Sequence, residues 1–218
     1  MNLKSPKYHF KKLDTKYSLK DWWPAQSEFE IMVGAILTQN TSWNNVEKAI
    51  TNLKRSINLD PTSILAAPHE FLETLIHPSG YYKVKTRRLK ALCALLVKEF
   101  DGSTSKMKQL PWREIRAMLL GVNGIGPETA DDILLYALHK PVFVIDQYTI
   151  RIFSRLGFNP SSDSYEGWQQ FFKQSLPNDV DLFKNYHALI IIHAKDLCRK
   201  TPICEPCPLK KDCDYPTR

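Results

Sequence analysis

The strongest constraint in this 218-residue chain lies between Gly121 and Asp146. Gly-Val-Asn-Gly-Ile-Gly-Pro-Glu-Thr-Ala places three glycines, Gly121, Gly124 and Gly126, just ahead of a proline. Glycine supplies backbone freedom that no other residue has, and Pro127 suits the first turn of a helix. Ala130, Ile133, Leu134, Ala137 and Leu138 then recur at i, i+3, i+4, i+7 and i+8, the period of one apolar helix face. Ile115, Leu119 and Leu120 mark a short helix upstream. The glycines are therefore expected to form a hairpin between two helices. Amides around Gly124 and Gly126 would face outward where the second helix opens, an address suited to a phosphate.

Pro141 ends that helix, and Val142 to Ile145 form a short apolar run. Asp146 comes next, immediately before a new helical pattern (Ile150, Phe153, Leu156). An anion-gripping hairpin followed by a carboxylate points to chemistry on DNA. An interhelical turn and an N-cap aspartate are the plain structural readings of the same residues.

The rest of the chain reads as helix after helix. Ser27 and Glu30 have the capping-box spacing and open a helix with Phe29, Met32, Val33, Ile36 and Leu37 on its apolar face. Further helices are expected after Thr41-Ser42 and from Asp60-Pro61. A fourth carries Phe71, Leu72, Leu75 and Ile76. Tyr81-Tyr82-Lys83-Val84-Lys85-Thr86-Arg87-Arg88 then leads a basic helix to Phe100, by its pattern either a solvated charged face or a surface for a polyanion. Pro111-Trp112 starts the helix before the hairpin, and three more are expected at about 149–156, 165–176 and 180–197. With 8 glycines in the chain, an all-α fold follows.

Lys and Arg outnumber Asp and Glu by 30 to 23, for a net charge of +7 and a pI near 9.1. That balance suits a polyanionic partner. No apolar stretch approaches the roughly 20 residues of a membrane span, and Lys4, Lys7, Lys11 and Lys12 precede no apolar signal core. These features predict an intracellular, cytoplasmic (nucleoid-associated) monomer with no membrane partner.

Four of the five cysteines, Cys198, Cys204, Cys207 and Cys213, lie in a C-x5-C-x2-C-x5-C pattern near the C-terminus. In a reducing compartment such a group signals a metal site. Four thiolates suit tetrahedral zinc or a [4Fe–4S] cluster. A single CxxC flanked by longer arms favours iron–sulfur over the paired knuckles of zinc. Cys93 sits on the apolar side of its helix and is expected in the core.

The hairpin, Val144-Ile145-Asp146 and the terminal cysteines, in this order and spacing, resemble the endonuclease III branch of the helix-hairpin-helix DNA glycosylases, from Ser27 to Cys213. The first cysteine gap is five residues where that branch usually has six. The resemblance implies a two-lobed all-α fold with a C-terminal iron–sulfur cluster loop. Residues 27–139 would form a central helical domain containing the hairpin. Residues 1–26 and 140–218 would form a second domain with the cysteine loop at 198–213, and a flipped nucleotide would enter the cleft between the two. Asp146 matches the catalytic aspartate. Bifunctional members carry a Schiff-base lysine two residues past the last hairpin glycine. Here that position is Glu128, which cannot form an imine, so a glycosylase without lyase activity is implied.

Trp22-Trp23-Pro24, Leu37-Thr38-Gln39-Asn40-Thr41, Trp43, His77-Pro78-Ser79-Gly80-Tyr81-Tyr82 and Gly126-x-Glu128 are similar to the 3-methyladenine DNA glycosylase branch of that group. This narrower match implies excision of alkylated purines from double-stranded DNA in base excision repair. Trp23, Pro24 and Trp43 would line the base pocket. Gln39 would fill the gap left by the flipped base, or contact its partner, while Asn123, Gly124 and Gly126 grip DNA. Trp22 and Trp23 equally suit packing between lobes. Three other functions fit the same residues. An adenine-mismatch glycosylase is opposed by Gly34 where that enzyme carries a glutamate. An endonuclease III-type lyase on oxidised bases is opposed by Glu128. A non-catalytic hairpin module would have no evident use for Asp146.

Overall fold

A computed structural model describes residues 4–17, 19 and 22–215. Among them there is no strand, and no helix is long and apolar enough to cross a membrane. Contacts along the chain divide it into two compact units: residues 23–140, and residues 1–22 together with 141–218. Trp23 and Pro24 thus belong to the same unit as Trp43.

In the unit 23–140, helices α2 (Glu28–Leu37), α3 (Trp43–Ser56), α4 (Pro61–Ala66), α5 (His69–Ile76) and α6 (Tyr82–Phe100) are followed by the short α7 (Thr104–Lys108). The hairpin pair comes last: α8 (Trp112–Leu120) and α9 (Pro127–Asp132). Local chemistry sets many of the ends. Ser27 Oγ accepts the Glu30 amide at 3.1 Å, while the Glu30 carboxylate reaches back to the Gln26 amide at 3.1 Å. This is the capping box with its return bond moved one residue upstream. Asp60 caps α4 through the Ser63 amide at 2.8 Å. Leucines, isoleucines and valines of α2, α3 and α6 fill the core, and Cys93 lies among them with its thiol pushed up to about 12 by burial.

Three features depart from the sequence pattern. The helix expected to run through Leu138 is α-helical only to Asp132; Ile133–Ala137 widen into a π-turn closed by the Leu138 amide on the Ile133 carbonyl at 3.0 Å. Such turns are rare and frequent at functional sites. Phe71, expected on an apolar face, is 40% exposed, because α5 buries Leu72 and Ile76 instead. Lys85, within the basic run, is buried with its ammonium donating to the carbonyls of Leu37 (2.9 Å) and Ser79 (2.7 Å). A cation there satisfies the last carbonyl of α2 and joins that helix to α6.

The other unit comprises α1 (Pro6–Lys16), α10 (Gln147–Arg155), α11 (Tyr165–Ser175) and α12 (Val180–Asp196). Its core is aromatic, with Phe143 stacked on Phe172 at 4.3 Å and 7° and edge-on to Phe183 and Tyr186. Helix α1 carries Lys7, Lys11 and Lys12 of the N-terminal segment. Ser5 caps it, and Pro6, His9 and Leu13 supply its buried face. Tyr186 donates to the Pro6 carbonyl at 2.6 Å, and Lys12 pairs with Asp212 at 2.7 Å, so α1 packs on α12 and reaches the cysteine loop.

Candidate functional site

Residues 142–145 are buried without regular structure, held by a bond from Gln169 to the Phe143 carbonyl (2.8 Å). They deliver Asp146 to the N-cap of α10. One carboxylate oxygen accepts both the amide (2.6 Å) and the hydroxyl (2.7 Å) of Thr149. The other lies 3.7 Å from His187 Nε2 on α12. Burial is the largest influence on this carboxyl and pushes its pKa up. The neighbouring His187 and the Thr149 hydrogen bonds together outweigh it, so the group titrates below the ordinary carboxylate value. Asp146 is therefore an almost wholly buried, ionised acceptor, held rigidly by its cap and facing a histidine. The sequence pattern carries no sign of His187, whose partner lies 41 residues away with α10 and α11 between them.

In the other unit the hairpin is built as its glycines suggest, with one qualification. Gly124 alone among the three has a positive φ, +86°; Gly121 and Gly126 lie at −73° and −92°, within reach of any residue. Asn123 and Gly126 are exposed on the turn and Gly124 is half-buried. Gly124 is required twice, since a Cβ there would lie 2.3 Å from Arg88 Cγ. Gln39, just beyond α2, donates to the Gly124 carbonyl (3.1 Å) and to Thr129 Oγ1 (3.0 Å) and accepts from Arg88. Glu128 is exposed on α9.

Beside α2 an aromatic group forms. Trp23 and Trp43 meet edge to face at 5.4 Å and 74°, and Tyr136, turned inward by the π-turn, lies against Trp23 at 4.8 Å. Gly34 lets the Trp23 ring lie flat on α2, since a Cβ would sit 3.3 Å from the indole. The two tryptophans are half-buried and Pro24 is exposed. Tyr136 lies outside the Ala130, Ile133, Leu134, Ala137 and Leu138 face that the helical period marks. Tyr81 belongs to the His77–Tyr82 motif. It caps α6 at φ +47° with 71% of its surface exposed, more than any other large apolar residue described.

Cys198, Cys204, Cys207 and Cys213 all line one cavity of about 140 Å³, together with Arg155 and Lys210. Arg155 fastens the loop: its guanidinium donates to Cys198 Sγ (3.3 Å) and to the carbonyls of Arg199 and Lys200, while its own carbonyl takes the Asp214 amide. The thiols of Cys207 and Cys213 are pushed up, first by burial and also by the charge of neighbouring cysteines, so a cation among them would favour their thiolate forms. Among the described residues no three His, Cys, Asp or Glu side chains converge as ligands of a single ion. Four soft donors around one cavity are the ligand type of a thiophilic metal or cluster.

Hairpin, capped aspartate and helical frame define a class of protein that acts on DNA bases. The sequence pattern of the HhH-GPD superfamily of base excision DNA repair proteins matches residues 33–178, and the chain belongs to that superfamily as a DNA glycosylase. It is 46% identical over 199 residues, 90% of each chain, to Methanocaldococcus jannaschii MJ1434, whose name assigns it provisionally to the DNA repair glycosylases. The H. pylori 3-methyladenine DNA glycosylase MagIII, solved with 1,N6-ethenoadenine bound, superposes with a TM-score of 0.75 at 31% identity, covering 86% of this chain and 94% of that one. A trapped endonuclease III–DNA covalent intermediate shares the fold at a TM-score of 0.81 and 24% identity, covering 95% and 93%.

Proposed function

We propose that this protein is a monofunctional glycosylase that removes alkylated purines of the 3-methyladenine type from double-stranded DNA. The observation that carries the reading is the edge-to-face pair of Trp23 and Trp43 backed by Tyr136. Two electron-rich indoles suit a flat cation, and alkylation at N3 or N7 makes a purine one. The 3-methyladenine glycosylase likeness at 31% identity supports the same choice.

The chemistry follows from the leaving group. When the C1′–N9 bond breaks, its electron pair passes to the purine and neutralises the alkyl-induced charge, so no general acid is needed. The sugar is left as an oxocarbenium-like cation. Asp146, ionised and nearly buried, stabilises that charge, and water adds to C1′ as the carboxylate accepts its proton. Asn123, Gly124 and Gly126 hold a phosphate of the DNA, Gln39 occupies the space the base vacates, and exposed Tyr81 offers a ring to the exposed stack. With Glu128 in place of a lysine there is no imine and no strand cleavage. Pro24 borders the aromatic pair.

The four cysteines are read as ligands of a [4Fe–4S] cluster. When bound, it would tie the terminal loop into one covalent unit and put a redox centre there. Arg155 and Lys210 supply positive charge beside the thiolates.

The test is product analysis on globally methylated DNA, combined with iron and sulfide assay of the purified protein. Released 3-methyladenine with an intact backbone, and no adduct trapped by borohydride, is expected. Release of oxidised pyrimidines instead, with a trapped adduct, would sink the proposal.

A further inference from the structure

Gln39 is held by three contacts whose chemistry dictates which way its amide faces. The Arg88 guanidinium donates through Nη1 to Gln39 Oε1. Guanidinium has donors and no acceptor, so the carbonyl end of the amide must face it. Both hydrogens of Nε2 are then spent, one on the Gly124 carbonyl at 3.1 Å and one on Thr129 Oγ1 at 3.0 Å. Reversing the amide would set NH2 against guanidinium and carbonyl against carbonyl. Gln39 is left with one free lone pair on Oε1 and no free hydrogen.

Arg88 is itself seated by the hairpin. A Cβ on Gly124 would come within 2.3 Å of its Cγ, 2.4 Å of Nε and 2.5 Å of Cδ, so the arginine stem lies in the space this glycine leaves open. The hairpin, Arg88 and Gln39 form one interlocked group within a single compact unit. An arginine two turns into a basic helix is either solvated or a candidate phosphate contact. Here its forward donor is committed to an amide oxygen instead.

We infer that Arg88 is a positioning residue: it presents Gln39 to the base opposite the lesion as a hydrogen-bond acceptor only, and thereby sets which partner bases the enzyme tolerates. The inference rests on the assignment of Gln39 to the vacated space. It does not require that the excised base be an alkylated purine.

The test uses the full-length protein and duplexes carrying a stable abasic-site analogue opposite A, C, G or T, with Kd measured at several salt concentrations. No excision is needed, so failure of the glycosylase reading leaves the result interpretable. The wild-type protein is expected to spread its four Kd values by about 2–10-fold, the size of one neutral hydrogen bond. Arg88→Met keeps the stem over Gly124 and removes the donor. It should collapse the spread without changing the salt slope, and Gln39→Ala should do the same, the double variant adding nothing further. Arg88→Lys, which restores a donor, should recover part of the spread and serves also if the Met variant folds poorly. A wild-type protein with no spread, or with no binding to any of the duplexes, overturns the inference. So does a spread that survives in Arg88→Met, or a salt slope lowered by about one, which would make Arg88 a phosphate ligand.

Discussion

Asp146 accepts the amide and the hydroxyl of Thr149 on the same oxygen, at 2.6 and 2.7 Å, which leaves its second oxygen directed at His187. One oxygen is thus committed to the helix cap and the other faces the histidine. The helix dipole and the cap bonds both favour the ionised form.

Replacing Asp146 by Asn separates the two roles. Asparagine is as good an N-cap as aspartate, so thermal stability should change little. Loss of the negative charge should slow base excision by about 10²–10³-fold. Single-turnover assays beside a melting curve check both halves, and undiminished excision would remove Asp146 from the reaction.

The contact with His187 predicts a pH effect of definite sign. Burial alone would raise the Asp146 carboxyl; His187 and Thr149 bring it below its ordinary value of 3.8. A carboxyl depressed in this way contributes stability that is present above 3.8 and is lost as pH falls through the lower folded value. Removing the histidine in His187→Leu should move the acid limb of the excision profile upward in pH. An unmoved limb would show that Thr149 alone holds the charge.

Trp43→Ala removes one wall of the aromatic pair while Trp23 keeps its contact with Tyr136. Binding of an alkylated base should weaken by about 1–3 kcal/mol, the worth of one base–aromatic stack. The selectivity between alkylated and unmodified purine should fall with it, as competition assays with defined duplexes would record.

Lys85 gives a stability prediction independent of DNA. In Lys85→Met the carbonyls of Leu37 and Ser79 lose their donor, and stability should fall by about 1–3 kcal/mol. Burial, and secondarily the charge of Arg88, lower the wild-type lysine from 10.5 to about 8. The unfolded chain therefore binds the extra proton between those values, and wild-type stability should rise relative to the variant as pH goes from about 8 to 10.5. Denaturant melts across that range check it.

Much of this molecule is written in short-range chemistry. Ser27, Asp60 and Asp146 are caps, and Pro127 is a first-turn proline, because each acts on amides within three or four residues. The apolar periods of α2, α3, α6 and α12 follow in the same way, as does the hairpin before Pro127. So the all-helical class, the hairpin and the aspartate behind it were legible in the amino-acid sequence. Relations between distant segments were not. Phe71 and Lys85 exchange their expected surroundings because neighbouring helices decide which face of α5 and α6 is covered. Ile133–Ala137 leave the α-helix, and Tyr136 reaches Trp23, through packing that a 3.6-residue period does not encode. His187 meets Asp146 across 41 residues of chain, and Arg88 meets Gln39 only because Gly124 leaves room beneath it. Spacing along the chain determined which groups this protein carries. Tertiary packing alone decided how the carboxylate, the amide and the aromatic rings are oriented, because burial and hydrogen-bond partners are properties of space.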